Sequence, residues 1–200
     1  MGYDIQLIPK TRDDEILLKI MECTDKNVQR FFSDNFALFQ SRFVFDQSEF
    51  KQVQELLSID LSIYLKYPKN HLYDISELEY KLYLAEEKNN LTEIEKIKID
   101  IEDEIENWDL AYKTNNEGWS RINDFRRVTI NFIEAIKQNP EFGSKIFVPK
   151  VQDFPWGNYF SIKEKKDKND HRIIDDLNFL LFKLQCIEKY EVEYVGFVGG

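Results

Sequence analysis

Residues 92–112 read TEIEKIKIDIEDEIENWDLAY, and this run decides the fold. Ile94, Ile97, Ile101, Ile105, Trp108 and Tyr112 recur at steps of three and four, the repeat of a helix with one apolar face. Thr92 followed by Glu95 has the form of a capping box, in which two side chains satisfy backbone donors that a helix start leaves open. Upstream, Ile75, Leu78, Leu82 and Ala85 carry the same repeat, with Asp74 as the cap and Glu77 three positions on. Asn89-Asn90 interrupts the two patterns, and so short a connection requires antiparallel neighbours. The sequence therefore predicts a helical hairpin over residues 74–113.

The flanks supply a core for it. Asp46 and Ser48 stand as caps for a helix in which Phe50, Val53, Leu57, Leu61 and Tyr64 share one face, ending at Tyr67-Pro68. Before it, residues 31–50 hold seven of the 16 phenylalanines, and Phe32, Phe36, Phe39 and Phe43 keep helical spacing. Each buried ring removes on the order of 150–250 Å² from water, so this stretch is expected to seed the core. After the hairpin, Trp119, Ile122, Phe125, Thr129, Phe132 and Ile136 mark a helix that stops at Asn139-Pro140. Thr11 is expected to cap a first helix with Ile16, Leu17 and Ile20 inward. Residues 170–189 form a last one with Ile174, Leu177, Leu181 and Leu184 inward.

Strand-like runs at Tyr3–Ile8, Lys145–Val151, Tyr159–Ile162 and Glu191–Val198 are short. The expected fold is α+β, mainly α: antiparallel helices around a Phe-rich core, with a small β-sheet from the termini and residues 145–162. An all-α fold is the alternative. No fixed-period repeat or low-complexity linker divides the chain, so residues 1–200 are expected as a single domain carrying the acidic hairpin.

The chain has 200 residues, with 37 Asp and Glu against 27 Lys and Arg, for a formal charge of -10. From Asp74 through Asp109, 13 acidic residues stand against four lysines, a net of -9, so the acidity belongs to the hairpin and the rest is nearly neutral. Such a surface repels phosphate backbones and anionic headgroups, which argues against direct nucleic-acid or membrane binding. The densest basic run, Lys163 to Lys168, includes two acids and reads as a solvated loop. No apolar stretch approaches the roughly 18 residues a bilayer crossing needs. Residues 1–8 lack the charged start, apolar stretch and cleavage site of a secretory signal. Cys23 and Cys186 form no CxxC motif and are expected as buried thiols, which fits a reducing cytoplasm.

Chemistry-bearing motifs are scarce. The seven glycines never build a phosphate-cradling loop, and neither Gly-x-Ser-x-Gly nor His-Glu-x-x-His occurs. Only His71 and His171 could act as imidazole bases or ligands. His171 with Asp175 and Asp176 reads as a polar helix start; acid-base or metal-dependent enzyme chemistry there is the rival reading. No cofactor and no metal site are expected, and the balance leans against an enzyme. The opening Met1-Gly-Tyr-Asp-Ile5 is similar to the starts of many small bacterial proteins, a likeness of five residues that carries no activity with it.

The expected function follows from the charge. On the second hairpin helix Glu95, Glu102, Asp103, Glu106 and Asp109 point away from the isoleucine seam with few cations three or four residues away. These five, with Trp156 in the loop Phe154-Pro-Trp-Gly157, are the candidate partner-binding residues. The sequence predicts a non-enzymatic protein-binding module that docks on a basic protein, of the inhibitor or immunity type. A structural or oligomerisation module, with the Ile94–Tyr112 seam between molecules, is a further alternative. No pattern sets the oligomeric state.

Overall fold

The computed structural model describes residues 5–27, 49–69, 71–146 and 173–199. Its elements in chain order are β1 (Ile5–Pro9), α1 (Asp14–Asn27), α2 (Glu49–Leu57), α3 (His71–Glu87), α4 (Leu91–Thr114), β2 (Ser120–Arg121), α5 (Ile122–Gln138), α6 (Ile173–Glu188) and β3 (Tyr194–Gly199). Short 3-10 turns occupy Ser62–Leu65 and Phe142–Lys145. Two compact units emerge: Met1–Lys66 together with Trp119–Gly200, here the body, and Tyr67–Gly118, the hairpin.

The fold is mainly helical with a small antiparallel sheet ordered β1-β3-β2. The terminal strands pair as expected, Leu7 opposite Phe197 and Pro9 opposite Val195. Pro9 is tolerated because β1 is an edge strand, where a missing N–H breaks no ladder on the outer side. The third strand is the two-residue β2, with Ser120 on the other side of Val195. Lys145, expected to open a strand, instead ends a 3-10 turn; residues 147–162 lie outside the described residues. So do Phe31, Phe32, Phe36, Phe39, Phe43 and Phe45. At one end of the sheet Arg121 Nε donates to the Tyr194 hydroxyl at 3.3 Å, and Lys10 Nζ sits 5.4 Å from the centre of the same ring. Lys10, just past β1, and Arg121 of β2 are thereby gathered on Tyr194 of β3 by cation–π attraction.

The core centres on Tyr64, which is fully buried among Phe125, Phe132 and Phe197. Its ring centroid lies 5.3 Å from Phe125, edge to face, and 6.3 Å from both Phe132 and Phe197. A buried hydroxyl must be bonded, and Tyr64 shares a 2.7 Å bond with Thr129 Oγ1. The Thr129 hydroxyl in turn donates to the Phe125 carbonyl at 2.8 Å, which leaves the tyrosine as the donor of the pair. Burial holds the Tyr64 phenol well above its ordinary pKa, so it stays protonated.

The apolar repeat read from the sequence tracks this core closely. Phe50, Val53, Leu57, Leu61 and Tyr64 are all buried, as are Trp119, Ile122, Phe125, Thr129, Phe132 and Ile136. The first set is not one helix, however. Ser58 takes a left-handed φ of 52° and ends α2, and Asp60 then accepts the Ser62 amide at 2.8 Å to start the 3-10 turn. That bond holds the Asp60 carboxyl below its usual range. Gln54 Oε1 bridges the break by accepting the Leu61 amide at 2.7 Å.

Two further expectations are corrected. Asp13, not Thr11, caps α1: its Oδ1 accepts from the amides of Glu15 and Ile16, while the Thr11 hydroxyl accepts from Asp13 itself. The helix begins at Asp14, which puts Thr11 two residues too early to be the cap. The last helix, α6, is buried on most sides, with Ile173, Phe179, Leu180, Cys186 and Ile187 inside as well as Leu177 and Leu184. Ile174 and Leu181 are only half-buried. Such a helix runs through a core and not along its edge.

Cys23 on α1 and Cys186 on α6 are bridged, with their Cα atoms 6.0 Å apart. The expectation of two free thiols is thus overturned. Their separation of 163 residues hides the pairing from any local pattern; only the packing of α1 on α6 brings them together. A bridge closing so long a loop removes much of the freedom of the unfolded chain, typically worth about 2–4 kcal/mol.

The Tyr64–Thr129 bond gives an asymmetric expectation. Thr129→Val strands the buried tyrosine hydroxyl and should cost about 1–3 kcal/mol, whereas Tyr64→Phe removes that donor and should cost about 1 kcal/mol or less. Urea unfolding of the two variants measures the order, and an equal or reversed loss would contradict the assigned direction of the bond.

Candidate functional site

The hairpin is built by its turn. Asn89 adopts a left-handed φ of 52° and closes α3, with its amide donating to the Glu86 carbonyl and that of Asn90 to Ala85. Asn90 then opens α4: its Oδ1 accepts the Glu93 amide at 3.4 Å and its Nδ2 donates to Glu93 Oε2 at 2.8 Å. The capping pair is therefore Asn90 with Glu93, not Thr92 with Glu95. An asparagine at the cap offers both an acceptor and a donor within one side chain, and the helix starts there, at Leu91.

α3 and α4 pack antiparallel and bury Ile75, Ala85 and Ile97. Ile94, Ile101, Trp108 and Tyr112 are half-buried on the same side, but Ile105 is 37% exposed. Glu104 takes the inner position in its place, one residue earlier, because Lys69 waits there. Lys69 Nζ stands 3.1 Å from Glu104 and 3.2 Å from Asp74 and so ties the start of α3 to α4. The bond to Glu104, more than that to Asp74, raises the Lys69 pKa above its ordinary value. α3 of the same chain packs along this seam.

Opposite the seam, Leu91, Glu95, Ile99, Glu102, Glu106 and Leu110 follow at helical steps and are all exposed. Leu91 is 75% exposed, Ile99 58% and Leu110 59%, values far above those of the seam. Carboxylates and aliphatic side chains thus share one ridge about 28 Å long. Asp103 is exposed beside it, whereas Asp109 is half-buried. On α3, Tyr80 and Tyr83 are also exposed, and the Tyr83 hydroxyl donates to Glu87 at 2.8 Å. The carboxylates were legible in the sequence, but the aliphatic members were not singled out. Their three-and-four spacing on the face opposite the isoleucines would have shown them.

The remaining candidates do not join this surface. Trp156 and His171 lie outside the described residues, and His71 is the first residue of α3. Asp176 is fully buried. Among the described residues no group of three His, Cys, Asp or Glu side chains could hold a metal ion. No helix among them is long and apolar enough to cross a membrane. No protein-family model, curated protein or solved structure matches this chain.

The two ends of the hairpin meet. Gly118 has φ 76°, and a Cβ there would collide with the Tyr67 carbonyl oxygen and the Pro68 backbone. Rigid backbone cannot swing aside as a side chain can. Gly118→Ala should therefore lower stability by more than the usual 1 kcal/mol for a left-handed alanine. A melting temperature unchanged within a degree would show that this closure is not under steric control.

Proposed function

We propose that the protein is a non-enzymatic binding module whose acidic hairpin docks on a basic protein, as an inhibitor or immunity-type partner of a toxin that acts on nucleic acid. The single observation that carries this reading is the outward ridge of α4, where Glu95, Glu102 and Glu106 lie in one row with Leu91, Ile99 and Leu110. A protein that grips nucleic acid presents Lys and Arg in a groove spaced for phosphates. A row of carboxylates offers that groove the same charge on a rigid helical support. The aliphatic members give the contact a part that salt does not screen, since apolar burial and not charge supplies most of the lasting affinity.

The charge would act chiefly on the encounter. Complementary fields raise association rates and weaken as added salt shortens the screening length, from about 10 Å at 0.1 M to roughly 3 Å at 1 M. We assign the protein to the cytoplasm, where such a toxin would meet its target. In that compartment disulfides are as a rule transient and redox-active, which sets a condition on the Cys23–Cys186 bridge.

The test is to immobilise the wild-type chain and the variant Glu95→Lys, Glu102→Lys, Asp103→Lys, Glu106→Lys, and to compare retained basic proteins at about 50 mM and 0.5 M salt. The expected result is a basic partner bound by wild type, with an association rate that falls steeply with salt, and lost from the variant. Retention of the same proteins by both would remove the reading.

A further inference from the structure

We infer that Cys23 and Cys186 form a reversible thiol–disulfide exchange site in which Cys23 is the entry sulfur and Cys186 the resolving one. The two sulfurs sit in unlike surroundings. Cys186 is fully buried on α6, between Leu184 and Ile187, which are themselves buried. Cys23 on α1 is only half-buried. Lys189 Nζ, one turn beyond Cys186, stands 3.5 Å from Cys23 Sγ.

These differences assign the chemistry. A neighbouring ammonium favours the thiolate of Cys23 once the bridge is open, whereas apolar burial disfavours a thiolate at Cys186. In the reduced protein the Cys23 thiolate attacks a small-molecule disulfide RSSR. The new bond is Cys23–S–S–R, and RS⁻ departs. Cys186 then loses its proton and attacks Cys23 Sγ, which expels the second RS⁻ and closes the bridge. The protein dithiol is oxidised to a disulfide, and one RSSR is reduced to two RSH. The reverse sequence, begun by an external thiolate on the sulfur of the less buried Cys23, opens it. Opening it removes a link between α1 and α6 that closes a loop of 163 residues of sequence, so a redox change is felt beyond the two cysteines themselves.

The experiment uses the full-length chain and glutathione disulfide at pH 7. Wild type reduced beforehand should re-form the intramolecular bridge with no lasting adduct, as read by intact mass. Cys186→Ser should stop at a single mixed disulfide on Cys23, and Cys23→Ser should take up glutathione at least tenfold more slowly. Both variants lack the bridge, so a general loss of structure would affect them alike and the asymmetry remains the readout. Lys189→Met in the Cys186→Ser background should slow adduct formation about threefold for each pKa unit of lost activation, with the same final extent. Equal rates at the two cysteines, a rate unaffected by Lys189→Met, or a wild-type protein that keeps two free thiols in glutathione disulfide would overturn the proposal.

Discussion

The hydroxyl of Tyr64, fully buried and bonded to Thr129, is the contact on which the body depends. A tyrosine at the centre of a core gives large apolar area, but it also carries a polar atom that must find a partner. That bond ties the 3-10 turn to α5 through Thr129. Phe125 and Phe197 then pack edge to face at 5.4 Å, and β3 is drawn onto α5. The terminal strand is consequently the middle strand of the sheet, and β1 and β2 add to its two edges. Arg126 and Glu188 pair between α5 and α6, and the Cys23–Cys186 bridge joins α6 to α1.

The hairpin obeys a different rule. It has few fully buried side chains, and its helices are held by local devices: a left-handed Asn89, an Asn90 cap, the Lys69 ion pairs and the steric closure at Gly118. These fix a backbone without demanding a particular outer face. Residues on the outside of α4 are therefore at liberty to serve something other than folding. A ridge of like charges three or four residues apart costs a few tenths of a kcal/mol per pair. Three large aliphatic side chains left mostly in water contribute little to folding, since full burial of each would stabilise it by about 1.5–3 kcal/mol. Neither feature helps the hairpin to stand, and this is the physical ground for reading the ridge as a surface for a partner.

Much of this was legible in the sequence, for identifiable reasons. Helical periodicity is a local signal, and it placed Ile122, Phe125, Phe132 and Ile136 of α5 and all five from Phe50 to Tyr64 inside, though it passed over the buried Ile133. Boundaries were harder. Ser58, Asn90 and Asp13 decide where helices stop and start, and each does so through a backbone angle or a pair of hydrogen bonds at one side chain, a role that nearby Thr or Asp residues could be read to fill. Non-local facts were not legible. Ser120–Arg121 is too short to show alternation, and the pairing of Cys23 with Cys186 depends on helix packing across most of the chain. On the candidate surface, counting charge found the acids but passed over Ile99 and Leu110, because apolar residues in a helix are first assigned to a core.

The central claim is that folding resides in the body and recognition in the hairpin. Excision tests it most directly: residues 69–117 are removed and Pro68 is joined to Gly118, whose backbones already approach each other closely. The account predicts a shortened chain that keeps the near-ultraviolet circular dichroism of its packed aromatics, unfolds in one cooperative transition and no longer associates with the basic partner of the full protein. Loss of the aromatic signal, or association as strong as before, would contradict it.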